Sequence, residues 1–245
     1  VREADGRLFG RGVADDKAGV MVHLAALRAF GGKPPVGVTL FVEGEEEIGS
    51  ASLATILERH RDLLAADAYV IADSGNWNVG EPAFTTTLRG LVDCVVEVST
   101  LDHALHSGQY GGAVPDALTA LCRLLATLHD ADGNVAIEGL SAMPDPELDY
   151  PESRLRAESG MLDGVRLLGD GPIAGRLWTK PTATVIGIDA TSVADASNTL
   201  APSARAKVSV RIAPDADPGQ ALAALTTHLQ QHAPWGARVR VSDGT

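Results

Sequence analysis

A chain of 245 residues, 45% of them hydrophobic, can bury one large core or two smaller ones. Its formal net charge of −12 argues against nucleic acid or an anionic membrane surface as partner, since both need clustered Lys and Arg. No apolar run approaches the ~18 residues of a membrane span, and two cysteines, Cys94 and Cys122, are too few for a disulfide framework, so a reducing, cytoplasmic setting is expected.

The first half alternates helix and strand signals. KAGVMVHLAALRAFGG, from Lys17, has apolar residues at helical spacing and ends on Gly31 and Gly32, a helix-terminating pair. VGVTLFV, Val36 to Val42, reads as a fully buried strand. SLATILERHRDLL is an amphipathic helix, and ADAYVIADSG is a second short apolar strand ending at Asp73. Continuous apolar strands alternating with helices predict an α/β layer with a largely parallel sheet. In such sheets ligands bind outside the carboxyl ends of the strands, where Glu43 to Glu47 and Asp73 fall.

The second half begins near Thr87, giving expected domains of 1–87 and 88–245. LRGLVDCVVEVST alternates as a half-exposed strand, and PDALTALCRLLATLH, Pro115 to His129, is an apolar-faced helix. Between His129 and Pro181 the chain is rich in Gly, Pro and Asp, with one modest helical segment. ATVIGIDA and ARAKVSVRIAP then read as strands, PGQALAALTTHLQQHA as a helix and GARVRVSD as a last strand. Strand–helix–strand–strand–helix–strand predicts a small α+β sandwich of ferredoxin-like type. DADGN, Asp130 to Asn134, opens like a calcium loop, but Val135 stands where such loops need Gly and Ser141 where they need Glu, so an ordinary loop is expected.

Three acidic segments could act together. GRGVADDKAG sets Asp15 and Asp16 at the start of a helix, where either helix capping or metal ligation suits them. EGEEEIGS sets Glu43, Glu45, Glu46 and Glu47 directly after an apolar run, as a solvated turn or as a site whose repulsion a cation relieves. Asp73 ends the second apolar segment, as a turn residue or a ligand. A pair of divalent cations needs one bridging carboxylate and separate ligands on each side, plus a spare carboxylate to move a proton.

GRGVADDK, EGEEEIGS, IADSG and, further on, LHSGQYGG resemble the successive motifs of the M20 family of metallopeptidases, the di-zinc dipeptidases, carboxypeptidases and aminoacylases. The resemblance covers essentially the whole chain and implies a di-metal catalytic domain followed by a lid, or dimerisation, domain. It makes Asp15 the bridging ligand, followed by a cis peptide bond, with Glu47 and Asp73 ligating one metal each. Glu46 becomes the general base and His106 the residue that stabilises the oxyanion in the partner subunit's site. Asn198 and Arg211 become lid residues that hold the substrate, Arg211 on its C-terminal carboxylate. Glu43 and Glu45 are left to structural roles, and Asp16 and Lys17 to positioning Asp15. The cofactors implied are two divalent ions, zinc first, with manganese or cobalt also suited to acidic ligands.

Two departures from the family pattern stand out. None of the seven histidines forms the H-x-D motif expected upstream of the GRG segment, and the second histidine ligand expected near the family's C-terminus is absent as well. The expectation is therefore the middle of a longer enzyme that hydrolyses an amide bond in a dipeptide, small peptide or N-acyl amino acid and acts as a homodimer through the lid. The alternative is a non-catalytic fragment or degenerate paralogue that dimerises and binds little metal.

Overall fold

A computed structural model describes residues 1–242, which divide into two units, the first ending at Thr86 and the second beginning at Thr87. The first unit opens with a hairpin of β1 (Arg2–Ala4) and β2 (Arg7–Phe9), turned by Asp5 and Gly6, both at positive φ. An Asp-Gly pair suits such a two-residue turn because Gly adopts positive φ without strain and Asp tolerates it. Helix α1 (Lys17–Ala29) follows, and the Gly32 amide donates back to the Leu27 carbonyl at 3.0 Å, closing the helix where the glycine pair predicts. The predicted helix over 52–64 forms as α2 (Leu53–Arg59) and α3 (Arg61–Leu64), interrupted at His60.

The two buried strands expected in this unit are not formed. Val36 to Val42 and the segment leading to Asp73 carry no ladder hydrogen bonds, and Val36, Val38, Val42, Val70 and Ile71 are each more than half exposed. The largely parallel sheet is therefore absent among the described residues. The physical reason is that a strand is a non-local structure: its backbone pairs, and its apolar side chains are covered, only by neighbouring strands and helices. No such neighbour lies among the described residues of this unit.

The second unit realises the predicted order. Strand β3 (Gly90–Ser99) leads to a two-residue strand β4 (Leu105–His106), a single turn α4 (Ser107–Tyr110) and helix α5 (Ala117–Ala126). Two short helices, α6 (Glu152–Ser159) and α7 (Ile173–Trp178), occupy the Gly/Pro/Asp-rich stretch where one was expected. Strand β5 (Thr182–Asp189), a two-residue β6 (Thr199–Leu200), β7 (Ser203–Ile212), helix α8 (Pro218–Gln231) and β8 (Arg238–Ser242) complete the described chain. The last strand was expected to run to residue 243, which lies outside the described residues. The sheet order is β5-β7-β3-β8 and every pairing is antiparallel, the ferredoxin-like arrangement.

Period-two alternation explains the layering. Val92, Cys94, Val96 and Val98 of β3, with Ala204, Ala206, Val208, Val210 and Ile212 of β7, are buried beneath the helices. Helix α5 meets them with Ala117, Ala120, Leu121 and Leu124, and α8 with Ala221, Leu225 and Leu229, each set one helical stripe. The intervening residues, Leu91 and Arg211 among them, face away from the helices. Burial, followed by the Asp93 charge, pushes the Cys94 thiol up to about 11, which makes it a core residue and not a nucleophile. DADGN is an ordinary loop as expected: Asp130 accepts from the Asp132 and Asn134 amides at 3.0 and 2.8 Å. Among the described residues no helix is long and apolar enough to cross a membrane.

Candidate active site

The first unit sorts its acids into two kinds. Asp16 is the N-cap of α1, accepting from the Gly19 amide at 3.0 Å, whereas the Asp15 carboxylate has no hydrogen-bond or ion-pair partner among the described residues. The peptide bond between Asp15 and Asp16 is cis, at the position the resemblance implies. In the second segment Glu43 accepts from the Glu45 amide at 2.7 Å and from Ser50 Oγ at 3.3 Å. Glu45 accepts from the Ser52 amide at 2.9 Å and from Ser52 Oγ at 3.3 Å. These two acids tie the turn together. Glu46 and Glu47 begin the single helical turn Glu46–Ile48, closed by Gly49 in the left-handed conformation, and their carboxylates have no partner among the described residues.

Gly19 links the first acidic segment to Asp73. A Cβ at Gly19 would fall 2.4 Å from Asp16 Oδ1 and 2.6 Å from the carbonyl oxygen of Ala72, so only glycine lets the start of α1 lie against the residue before Asp73. Gly19 is also the one buried residue among those described in this unit. Carboxylates without partners are the right donors in kind for a divalent cation. In number they fall short: among the described residues no three His, Cys, Asp or Glu side chains gather to hold a metal. Asp15, Glu47 and Asp73 thus do not make a complete metal centre by themselves.

In the second unit the structure joins two of the expected residues. The short strands β4 and β6 pair antiparallel with His106 opposite Thr199, and the Ser107 amide donates to the Asn198 carbonyl at 2.9 Å. His106 Nδ1 accepts from the Gly108 amide at 3.1 Å, which fixes the neutral ring with its proton on Nε2. That leaves an exposed N–H donor of the kind that stabilises a developing oxyanion. Arg211 lies apart from this pair, on the helix-free face of β7 between Leu91 of β3 and Thr182 of β5.

Sequence reasoning passed over the residue that anchors the β6 segment. Asp116 caps α5 by accepting from the Thr119 amide at 2.8 Å, while its other oxygen accepts from the Ala201 amide at 2.7 Å. The signal for the cap was present, an Asp directly before an apolar helical run. The bond to Ala201, 85 positions away, leaves no mark in the sequence.

Residues 86–237 match the family model described as a peptidase dimerisation domain. Across 98% of its length the chain is 38% identical to the cysteinylglycine-S-conjugate dipeptidase of Corynebacterium striatum, covering 54% of that protein. The chain belongs to the M20 family of metallopeptidases. Among solved M20 structures it resembles human carnosine dipeptidase 1, with a TM-score of 0.76 and 26% identity over 98% of this chain and 55% of that one. It also resembles an M20 family metallo-carboxypeptidase from Sulfolobus solfataricus, with a TM-score of 0.74 and 26% identity over 98% of this chain and 57% of that one. The chain thus spans about half the length of the relatives it matches, and its fold is that of M20 peptidases, α/β with a dimerisation domain.

Proposed function

We propose that the protein carrying this chain hydrolyses the amide bond of a dipeptide or small peptide. The identity of 38% to a dipeptidase, sustained over 98% of the chain, carries this reading. The division of the acidic segment supports it, since Glu43 and Glu45 hold the turn and leave Glu46 and Glu47 free for chemistry. Glu46 is the general base, taking a proton from the attacking water on its carboxylate and passing it to the leaving nitrogen. Asp15, Glu47 and Asp73 are carboxylate ligands of a two-metal centre, zinc first, completed by ligands other than these. Divalent cations, when bound, acidify water and polarise the scissile carbonyl. His106 donates from Nε2 to the oxyanion, and Asn198 and Arg211 hold the substrate.

The protein works as a homodimer through the lid domain, with His106 serving the partner's site. Strand β5 supports a second copy as partner. It is an edge strand, and Val185, Ile186 and Ile188 along it are exposed. Two free thiols, Cys94 and Cys122, support a reducing cytoplasmic setting.

Glu46→Gln tests the enzymatic reading. Turnover should fall by about a hundredfold or more with bound metal unchanged, because a lost general base is worth roughly 10²–10⁴. A variant that keeps its rate would remove Glu46 from the mechanism. That no three ligand side chains gather among the described residues favours a second reading, a non-catalytic fragment or degenerate paralogue that dimerises through the lid and binds little metal. Elemental analysis after zinc equilibration and dialysis separates the two: close to two zinc per chain for the enzyme, close to none for the paralogue.

A further inference from the structure

Arg89 stands one residue before β3 and has no part in the reading above. Strand β7 lies between β3 and β5, so Arg211 is flanked by Leu91 on one side and Thr182 on the other. Neighbouring strands run about 4.8 Å apart, which puts β3 and β5 roughly 10 Å from each other. The Arg89 side chain spans that gap: its Nη1 lies 3.4 Å from Thr182 Oγ1 and 3.5 Å from the Lys180 carbonyl oxygen. Because Thr182 is the cross-strand neighbour of Arg211, the two guanidiniums share one end of the helix-free face.

Two other cations of β7 on this face have carboxylate partners. Lys207 pairs with Asp93 at 3.1 Å, and Arg205 pairs with Asp189 at 2.8 Å. Among the described residues neither Arg89 nor Arg211 has a carboxylate partner. Arg89 is half-buried, and the loss of hydration together with the Arg211 charge holds its pKa below the ordinary arginine value. Two guanidiniums left side by side are costly unless an anion meets both. A single carboxylate suits them, since its two oxygens accept several hydrogen bonds and each guanidinium presents a planar fork of donors. Arg89 spends only Nη1 on the protein and keeps Nη2 and Nε for that purpose.

We propose that Arg89 joins Arg211, to which the family resemblance already gives the C-terminal carboxylate of a short-peptide substrate, and that the second guanidinium grips the same carboxylate. This deepens, and rests on, the reading of the protein as a peptide hydrolase. Arg89 is then a specificity-determining residue, responsible for preferring free peptides over peptides with a blocked C-terminus.

The test compares S-methylcysteinylglycine with its C-terminal amide in the full-length protein. KM and kcat are measured in wild type, Arg89→Gln, Arg89→Lys and Arg211→Gln. Binding of both compounds is measured by calorimetry in a Glu46→Gln background, so that a readout exists without turnover. Wild type should bind the free acid at least about tenfold more tightly than the amide, in line with one charge-assisted hydrogen bond. Arg89→Gln should erase most of that preference and raise KM for the acid, with kcat and the amide little changed. Arg89→Lys, which keeps a charge and a donor, should fold normally and retain part of the preference. The subsite is overturned if Arg89→Gln weakens acid and amide equally, if the acid preference survives it, or if wild type shows no preference. Hydrolysis of acid and amide alike would overturn the subsite and leave the proposed function standing. An acid preference lost in Arg89→Gln, in a protein that hydrolyses neither compound, would do the reverse.

Discussion

Asp116 holds the framework of the candidate site in the lid, and its removal should be felt at two places. One carboxylate oxygen accepts from the Thr119 amide at 2.8 Å and from Thr119 Oγ1 at 2.9 Å; the other accepts from the Ala201 amide at 2.7 Å. In Asp116→Ala the helix loses its cap, worth about 1 kcal/mol, and the part-buried Ala201 N–H is left without its acceptor, at about 1–3 kcal/mol. The expected loss is about 2–4 kcal/mol. Asp116→Asn keeps one acceptor oxygen and should lose roughly half of that. Native-state hydrogen exchange of the β3 and β7 amides reads the opening free energy of this unit without assuming that both units unfold together. The Ser107 amide, bonded to the Asn198 carbonyl just before β6, should exchange faster still, because β6 is tethered through Ala201. A loss below about 0.5 kcal/mol in Asp116→Ala, or equal damage from Asn and Ala, would refute the two-ended role.

A Cβ added at Gly108 would lie 2.9 Å from His106 Cε1 and 3.2 Å from Nδ1, so Gly108→Ala should turn the imidazole out of place. Since the ring is exposed and free to swing, unfolding free energy should change by about 0.5 kcal/mol or less while turnover falls severalfold; unchanged turnover would remove the fixed His106 orientation from the mechanism. His228 of α8 is buried, with Nε2 at 3.0 Å from Thr127 Oγ1 and its ring stacked on His232. Burial, then the His232 charge, lowers its pKa below the ordinary 6.5, despite the opposing pull of the Thr127 hydrogen bond and of Glu138. Below about pH 6.5 the unfolded chain therefore binds the proton first, and stability drops as the pH falls toward the folded-state value. Urea midpoints at pH 7.5 and 5.5 should differ less in His228→Gln than in wild type, and an identical difference would exclude His228 as the cause.

The lid was legible because its elements are long and periodic. GLVDCVVEVS alternates over ten residues and finds its partner in SARAKVSVRI, which alternates in step, so burial and pairing agree. VGVTLFV is as apolar as any strand in the lid, yet alternation and apolarity describe only what a segment can bury, and its partners are not among the described residues. The β4–β6 contact was illegible for a different reason. Each strand has two residues, too few for any period, so HSGQYGG reads as loop although it sets His106 beside the Asn198 segment. Motif resemblance named both residues singly, and only the fold shows the hydrogen bond from the Ser107 amide to the Asn198 carbonyl.

The two units also differ in what holds them. The lid owns a continuous core, with Leu121, Leu124, Leu225 and Leu229 all fully buried, and each such side chain contributes about 1.5–3 kcal/mol. The first unit buries only Gly19 among its described residues, so Asp15, Glu46, Glu47 and Asp73 stand on segments that no core of their own fixes. Carboxylates brought close without a counter-ion repel one another, whereas a cation bound between them would lower that repulsion and restrict the turns that carry them. Order in the first unit should therefore rise with metal far more than order in the lid. Hydrogen exchange around Glu46–Ile48 and Asp73, with and without zinc, reads this directly, and equal protection in both states would mean that the acids are placed by something other than the cation.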